Sequence, residues 1–343
     1  MVMTILIVGK YFGKNSNNYI QLLADSYMEM GHTVLYDVEN FLFSNFIPDV
    51  VHIQWPEAFY RWQRLILSND EGLGFLRNRL QWYRKNGVKF VYTVHNLLPH
   101  DTKDPFDYEV YSLLLENMDV IVHHGSSSIE IIKQKYPNTK NKKHIVAPHG
   151  HYNIEALPDK KDARKRLGLP QEKFVCTNFG LQRKYKGREF LYDLFLSCKK
   201  TDICFLTAGR LVGETEPFSN IPKERCHKEI YKQISFDEML DIVSATDIFV
   251  LTHQSGLNSG LIALALTYAK PVLFPDIGNF KDQVKGWQWY ETYEVGKLDL
   301  ALNALERLYT RLKDKNTLDN AEWLKQNSWH IHTKNIIDAL KII

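Results

Sequence analysis

An alternation that runs, breaks off and restarts constrains this chain more than any other feature. Short apolar runs at residues 4–9, 32–38, 48–54, 88–94, 119–124 and 144–148 are separated by helix-period stretches at 18–30, 72–86, 105–117 and 127–136. Strands apolar on both faces, each followed by a helix, imply a parallel sheet covered by helices. Right-handed crossovers make such a sheet doubly wound. Ser127 with Glu130 forms the pattern of a capping box at the last of these helices. Residues 158–171 are charged, proline-bounded and without a strand pattern, so they read as a connection. The alternation then resumes. Strands are expected at 173–179, 202–208, 247–252 and 271–275, and helices at 188–199, 236–245, 260–268 and 297–313, with Ser235 and Glu238 forming a second capping box. The tail, 320–343, is helical with no strand after it to serve. The expected fold class is α/β, with two Rossmann-like doubly wound domains facing a central cleft. The first spans residues 1–155, with a helix at about 325–343 packing back on it, and the second spans 156–324.

Composition narrows the partners. The 343 residues are 44% apolar and 24% charged, as in a globular chain, and the net charge of +3 is too small to make nucleic acid the main partner. Cys176, Cys198, Cys204 and Cys226 show no CxxC spacing, which fits reduced thiols better than a disulfide framework or a zinc site. No apolar run approaches the roughly 18 residues of a membrane span. The first apolar run lacks a basic flank and a cleavage site, so it reads as a strand rather than a leader. The expected location is cytoplasmic, with peripheral contact at the inner membrane face.

The stretch Phe179-Gly-Leu-Gln-Arg183-Lys184-Tyr-Lys186-Gly187 follows an apolar strand and opens a helix. Glycines let a backbone approach a pyrophosphate, helix-end amides point at it, and Arg and Lys neutralise its charge. An ordinary strand–turn–helix connection is the plainer alternative. Other polar groups stand just past expected strand ends. Gly9, Tyr11 and Gly13 do so in the first half, followed by His52, Gln54 and Glu57, then His95, Asn96, His100 and Asp101, and then His149. In the second half they are Gly209, Arg210, Ser255, Asn258, Ser259 and Gly260. His52 lies inside a strand and reads as a hydrogen-bonded core histidine. The group from His95 to Asp101 concentrates titratable side chains on one loop, which suits a functional role. Ser259 and Gly260, before a very apolar helix, could offer bare amides to an anion.

Residues 59–90 carry Arg61, Arg64, Arg77, Arg79, Arg84, Lys85 and Lys89 against two acids, Asp70 and Glu71, with Phe59, Tyr60, Trp62, Phe75, Trp82 and Tyr83 interleaved. Basic and aromatic residues together suit an anionic membrane surface or an acceptor anchored in one. A solvated face over buried aromatics is the other reading.

The sequence resembles the GT-B fold glycosyltransferases, in particular family 4-like enzymes of bacterial polysaccharide synthesis. Gly180-x-x-Arg183-x-x-Lys186-Gly187 is similar to that family's donor-phosphate motif, and residues 205–209 to its next strand and glycine. Residues 235–240 with Asp247, Lys270-Pro271-Val272, Thr93-Val-His95-Asn96, Pro148-His149-Gly150 and the tail with Ser328-Trp329 extend the likeness over nearly the whole chain. One departure concerns the family's two glutamates, whose positions are held here by Gly256 and Leu264.

The resemblance implies transfer of a sugar from a UDP- or GDP-linked donor to a saccharide acceptor, lipid-linked, without a metal or other cofactor. Gly180, Arg183, Lys186, Gly209, Arg210, Asn258, Ser259 and Gly260 would hold the donor. His95 would contact the transferred sugar, and Asp101 or Glu57 would act as general base if the reaction inverts. Gly9, Tyr11, Gly13, Asn96 and His149 would line the acceptor side. The alternatives are a nucleotide-sugar epimerase or hydrolase of the same fold, or a non-catalytic nucleotide-sugar-binding protein. A nicotinamide-dependent dehydrogenase is disfavoured, because no GxGxxG fingerprint is present.

Overall fold

The computed structural model describes residues 2–9, 18–60, 67–99, 104–213, 218, 221–222, 224–313, 315 and 317–342. Chain contacts divide it into two compact units, Met1–Gly150 with Asn327–Ile343, and His151–Gln326.

The first unit runs β1 (Thr4–Val8), α1 (Tyr19–Glu29), β2 (Thr33–Tyr36), α2 (Val38–Phe43), β3 (Val50–Ile53), α3 (Glu57–Tyr60), α4 (Asn69–Lys85), β4 (Lys89–Thr93), α5 (Pro105–Glu116), β5 (Val120–His123), α6 (Ser127–Lys135) and β6 (Lys143–Val146). Among the described residues the strands form one parallel sheet in the order β2-β1-β3-β4-β5-β6. Strand order reverses between β1 and β3, the point at which open α/β sheets bind ligands past their carboxyl ends. β1, β3, β4 and β5 are almost wholly buried, which is why they read as continuous apolar runs.

Local signals start most helices where the pattern places them. Ser68 and Glu71 exchange the two bonds of a capping box at α4, and Asp104 caps α5 ahead of Pro105. The box expected at Ser127 is not used. The cap position is Ser126, which makes no side-chain cap bond, and Glu130 pairs with Lys133 instead.

The second unit runs α7 (Lys160–Leu167), β7 (Phe174–Phe179), α8 (Arg188–Ser197), β8 (Ile203–Ala208), β9 (His227–Ile230), α9 (Phe236–Ala245), β10 (Ile248–Val250), α10 (Gly260–Thr267), β11 (Val272–Pro275), α11 (Phe280–Gln283), β12 (Tyr290–Tyr293), α12 (Leu298–Leu312) and α13 (Ala321–Gln326). Its parallel sheet has the order β12-β11-β10-β7-β8-β9, with the reversal between β7 and β10. The expected box of Ser235 and Glu238 forms at α9.

The segment 158–171 is not a bare connection. Asp159 caps α7 and Gly168 closes it in the left-handed conformation. The helix is held by Arg164, which donates to the carbonyls of Ala245, Gln171 and Lys173 and pairs with Asp247 at 2.6 Å. Its charged outer face hid the helix from a search for apolar periodicity.

The reduced-thiol expectation also fails for one pair. Cys204 and Cys226 are joined in a disulfide, with Cα atoms 4.6 Å apart. Phe205 pairs with His227 across β8 and β9, so the residues just before them face one another. Sequence spacing alone could not reveal this, since β9 carries too little apolar pattern to be read as a strand. Cys176 and Cys198 are free and buried.

After α13 the chain rejoins the first unit as α14 (Trp329–Lys341), capped by Ser328. It buries Trp329, Ile336, Ile337 and Leu340, each contributing about 1.5–3 kcal/mol by removal from water. Ser26 of α1 bonds Thr333 at 2.8 Å, and Lys143 donates to the carbonyl of Ala339 at 2.9 Å.

Candidate active site

In the second unit the basic turn lies at the strand-order reversal. β7 ends at Phe179, the chain passes Gly180, Gln182 and Arg183, makes a tight turn at Lys184–Lys186 and enters α8 through Gly187. The neighbouring loop after β10 locks the turn. Thr252 donates its hydroxyl to the carbonyl of Lys186 at 2.8 Å, and the amide of Gln254 donates to the carbonyl of Tyr185 at 2.8 Å. Gly187 has φ +69°, and a β-carbon there would stand 2.0 Å from the carbonyl oxygen of Thr252. Gly209, at φ +130° past β8, would meet the carbonyl oxygen of Gly180 at the same distance. Both glycines are therefore required by close backbone approach.

Arg183 and Lys186 are half-buried on this turn. Burial, and then the neighbouring guanidinium of Arg183, lower the Lys186 amine to about 8. An ammonium lowered by burial and by a neighbouring guanidinium is stabilised by an arriving anion. Arg188, the first residue of α8, is a further cation at this turn that its sequence context does not mark. It is buried, bonded to Gln182 Oε1 at 3.3 Å and to the Tyr231 hydroxyl at 3.2 Å, and its guanidinium lies 4.4 Å from the Phe218 ring. Tyr231 in turn donates to Glu229 at 2.6 Å. Arg188 therefore braces the turn from inside. Arg210 is exposed.

At the start of α10 the geometry narrows the expectation. The amide of Ser259 donates to Gln283 Oε1 at 2.9 Å, and Gln283 Nε2 donates back to the Ser259 carbonyl at 3.1 Å. The Ser259 N–H is thus occupied, and Ser259 makes no side-chain cap bond. The N–H groups of Gly260 and Leu261 make no hydrogen bond among the described residues. Asn258 accepts from Asn279 at 2.8 Å. Leu264 faces the apolar core of this unit, while Gly256 has φ +156° in the loop before the helix.

The first unit gathers histidines around Tyr19. His95 Nε2 donates to Gln54 Oε1 at 2.6 Å, and its ring stacks on Trp55 with centroids 3.8 Å apart. His52 is the expected core histidine, fully buried and bonded to Tyr27 and Thr93. Three further rings use the Nδ1 position on carbonyls of the segment past β6: His124 on Ala147, His332 on Pro148 and His149 on Gly150, at 3.1, 2.9 and 2.7 Å. Burial holds His95 and His124 well below the ordinary range, and His149 and His332 at about 4. All are neutral near pH 7, so His149 acts here as a backbone pin. In the sequence His124 stands only at a strand end, and His332 is unmarked in the helical tail. Their signal was a histidine at a strand terminus and another one helical turn after Trp329.

Glu57 opens α3 just past β3, at the strand-order reversal of this unit, and accepts from the buried Tyr111 hydroxyl at 2.8 Å. Gly9 is buried and Asn96 half-buried. Tyr11, Gly13, His100 and Asp101 lie outside the described residues.

The basic and aromatic stretch 59–90 is largely structural. Phe59, Tyr60 and Tyr83 are core side chains. Arg84 pairs with Asp119 at 2.8 Å, and Arg79 serves backbone carbonyls. Arg61 and Arg64 lie outside the described residues. Among the described residues no group of three His, Cys, Asp or Glu side chains gathers as a metal site, and no helix is long and apolar enough to cross a membrane.

No protein-family model matches the chain. The GDP-mannose:glycolipid 4-beta-D-mannosyltransferase of Xanthomonas campestris pv. campestris is 26% identical over 313 residues, covering 87% of this chain and 81% of that protein. The lipopolysaccharide core biosynthesis mannosyltransferase LpsB of Rhizobium meliloti is 32% identical over 185 residues, half of each chain. Among solved structures, Anabaena HepE in complex with UDP-glucose aligns over 99% of this chain and 100% of that one, with a TM-score of 0.67 at 14% identity. Two parallel Rossmann-like sheets, a basic glycine turn at one strand-order reversal and these relatives together identify the chain as a glycosyltransferase of the GT-B fold.

Proposed function

We propose that the protein transfers mannose from GDP-mannose to a hydroxyl of a lipid-linked saccharide in bacterial surface polysaccharide synthesis, with inversion at the anomeric carbon and without a metal or other cofactor. The observation that carries this reading is the pair Arg183 and Lys186 on a locked glycine turn, where Lys186 has no carboxylate partner among the described residues. The choice of sugar follows the Xanthomonas relative, whose name specifies GDP-mannose, a glycolipid and a β-linked product. GDP-mannose carries its sugar as the α anomer, so forming a β linkage inverts the centre. Loss of a glutamate at Gly256 and Leu264 accords with a donor site that departs from the family 4 pattern.

In this mechanism the acceptor hydroxyl attacks C1 of the sugar while Glu57 takes its proton. The bond from C1 to the diphosphate oxygen breaks, and the released charge is taken up by Arg183, Lys186 and the open amides of Gly260 and Leu261. His95, held flat by Trp55 and oriented by Gln54, contacts the sugar as a neutral ring. Purified protein should be incubated with GDP-mannose or UDP-glucose and a lipid-linked saccharide extract, and the products chromatographed. Mannose appearing in the lipid fraction supports the reading. Release of free mannose alone, or turnover of UDP-glucose in preference, contradicts it.

A further inference from the structure

β9 is a weakly held edge strand, yet it carries residues that brace the basic turn. None of its four residues, His227–Ile230, is fully buried, and it pairs with β8 on one side only. A short edge strand of mixed faces opens at low cost. Two attachments hold its start. Arg225 donates to the carbonyls of Cys198 and Leu196 at the end of α8. The Cys204–Cys226 disulfide then ties the strand to the middle of the sheet, joining residues 22 apart in sequence and removing freedom that the open chain would recover. Cys226 is half-buried, whereas Cys204 is 1% exposed and packs among Val175, Leu206 and Ile242.

A run of hydrogen bonds leads from β9 to the basic turn. Glu229 accepts from the Phe218 amide at 3.4 Å and from the Tyr231 hydroxyl at 2.6 Å. Having spent its proton on Glu229, that hydroxyl accepts from Arg188 Nη2 at 3.2 Å. Arg188 Nη1 donates to Gln182 Oε1 at 3.3 Å, and Gln182 Nε2 donates to the carbonyl of Gly180 at 2.9 Å. The edge strand, the buried guanidinium and the residue from which the turn departs are therefore mechanically linked.

Resting on the donor-site reading of that turn, we propose that the Cys204–Cys226 bond is a redox control on donor binding. Formed, it fixes β9 and, through Tyr231, Arg188 and Gln182, the start of the turn at Gly180. Broken, it lets β9 loosen and weakens the donor site. The chemistry is thiol–disulfide exchange with a dithiol. One thiolate of the reductant attacks Cys226 Sγ, the more accessible sulfur, and the Cys204 sulfur leaves and takes up a proton. The second thiol of the reductant then attacks its own sulfur in the mixed disulfide, closes a cyclic disulfide and releases Cys226 as a thiol. Two electrons pass from the dithiol to the protein, and the two thiol protons end on the cysteines.

The test compares protein oxidised with glutathione disulfide and protein reduced with dithiothreitol, each titrated calorimetrically with GDP and with UDP. After unfolding, the oxidised form should present two alkylatable thiols, Cys176 and Cys198, and the reduced form four. Reduction should weaken nucleoside-diphosphate binding about fivefold or more and speed amide exchange in β9. Cys204→Ala/Cys226→Ala should bind like the reduced wild type and ignore dithiothreitol. Tyr231→Phe keeps the disulfide but removes the acceptor for Arg188, so its affinity should no longer depend on redox state. Four alkylatable thiols after oxidation, equal affinity of the two wild-type forms, or an undiminished redox response in Tyr231→Phe overturns the control and leaves the transferase reading intact. Binding of neither diphosphate by either form overturns the donor-site reading together with the control.

Discussion

Gly187 and the carbonyl of Thr252 touch so closely that no side chain fits between them. A β-carbon on Gly187 would stand 2.0 Å from that oxygen, while the Thr252 hydroxyl holds the carbonyl of Lys186 from the other side. The basic turn is thus cast against the loop after β10, and its shape does not depend on a ligand. Gly187→Ala should raise the donor KM at least about tenfold and lower stability by roughly 2 kcal/mol or more, from left-handed strain plus the clash. Thr252→Val, which removes one hydrogen bond, should cost about 1 kcal/mol. Thermal denaturation with donor titration measures both. Wild-type KM in the alanine variant would show that the turn does not hold the donor.

Removing the paired cations tests the chemistry directly. Arg183→Ala with Lys186→Ala should reduce kcat/KM by about 100-fold or more, with a melting temperature close to wild type because both side chains are only half-buried. Steady-state kinetics on the folded double variant gives the answer, and unchanged turnover would remove this turn from the mechanism.

Glu57 and Tyr111 form a second testable pair. Glu57→Gln keeps the bond from Tyr111 but cannot take a proton, so kcat should fall about 100- to 10,000-fold with donor KM preserved. The acid limb of the pH–rate profile should vanish with it. Tyr111→Phe leaves the carboxylate in place and should shift that limb while costing far less rate. A Gln variant that retains both its rate and its acid limb would move the base elsewhere.

The buried histidines predict acid sensitivity with a definite window. His149 and His332 stay neutral when folded down to about pH 4, against an ordinary value of 6.5. Above pH 6.5 folded and unfolded states hold the same protons at these positions. Below it the unfolded chain gains protons that the folded chain refuses, so stability falls between pH 6.5 and about 4. The loss is of the order of 2 kcal/mol per histidine by pH 5. Urea midpoints at pH 7, 6 and 5 should decline in that order, and His149→Asn should flatten the decline. A midpoint constant over this range would contradict the assignment.

The sequence showed its buried strands and the basic turn because both are local signals. A parallel strand covered on both faces is an unbroken apolar run, and Gly180 to Gly187 keeps its glycines and cations within one turn. What was hidden depends on partners far along the chain. α7 reads as a charged connection until Asp247, 83 residues from Arg164, is placed beside it. β9 and β12 are edge strands with mixed faces, and missing β9 also hid the pairing of Cys204 with Cys226. Of the two readings of the stretch 59–90, buried aromatics hold at Phe59, Tyr60 and Tyr83, which are core side chains, while exposed aromatics stand earlier, at Phe43 and Phe46. Ser259 looked open as an amide because nothing near it in sequence announces Gln283.

The placement of α14 has a consequence for how the protein is made. The second unit is one continuous stretch, His151–Gln326, whereas the first needs Asn327–Ile343 to cover β5, β6 and α1. During synthesis the half made first therefore waits, with its histidines and the Trp329 site uncovered, until α14 has emerged. The half made second can close as soon as residue 326 is clear. Loss of α14 would then leave the second unit folded and the first exposed to proteases.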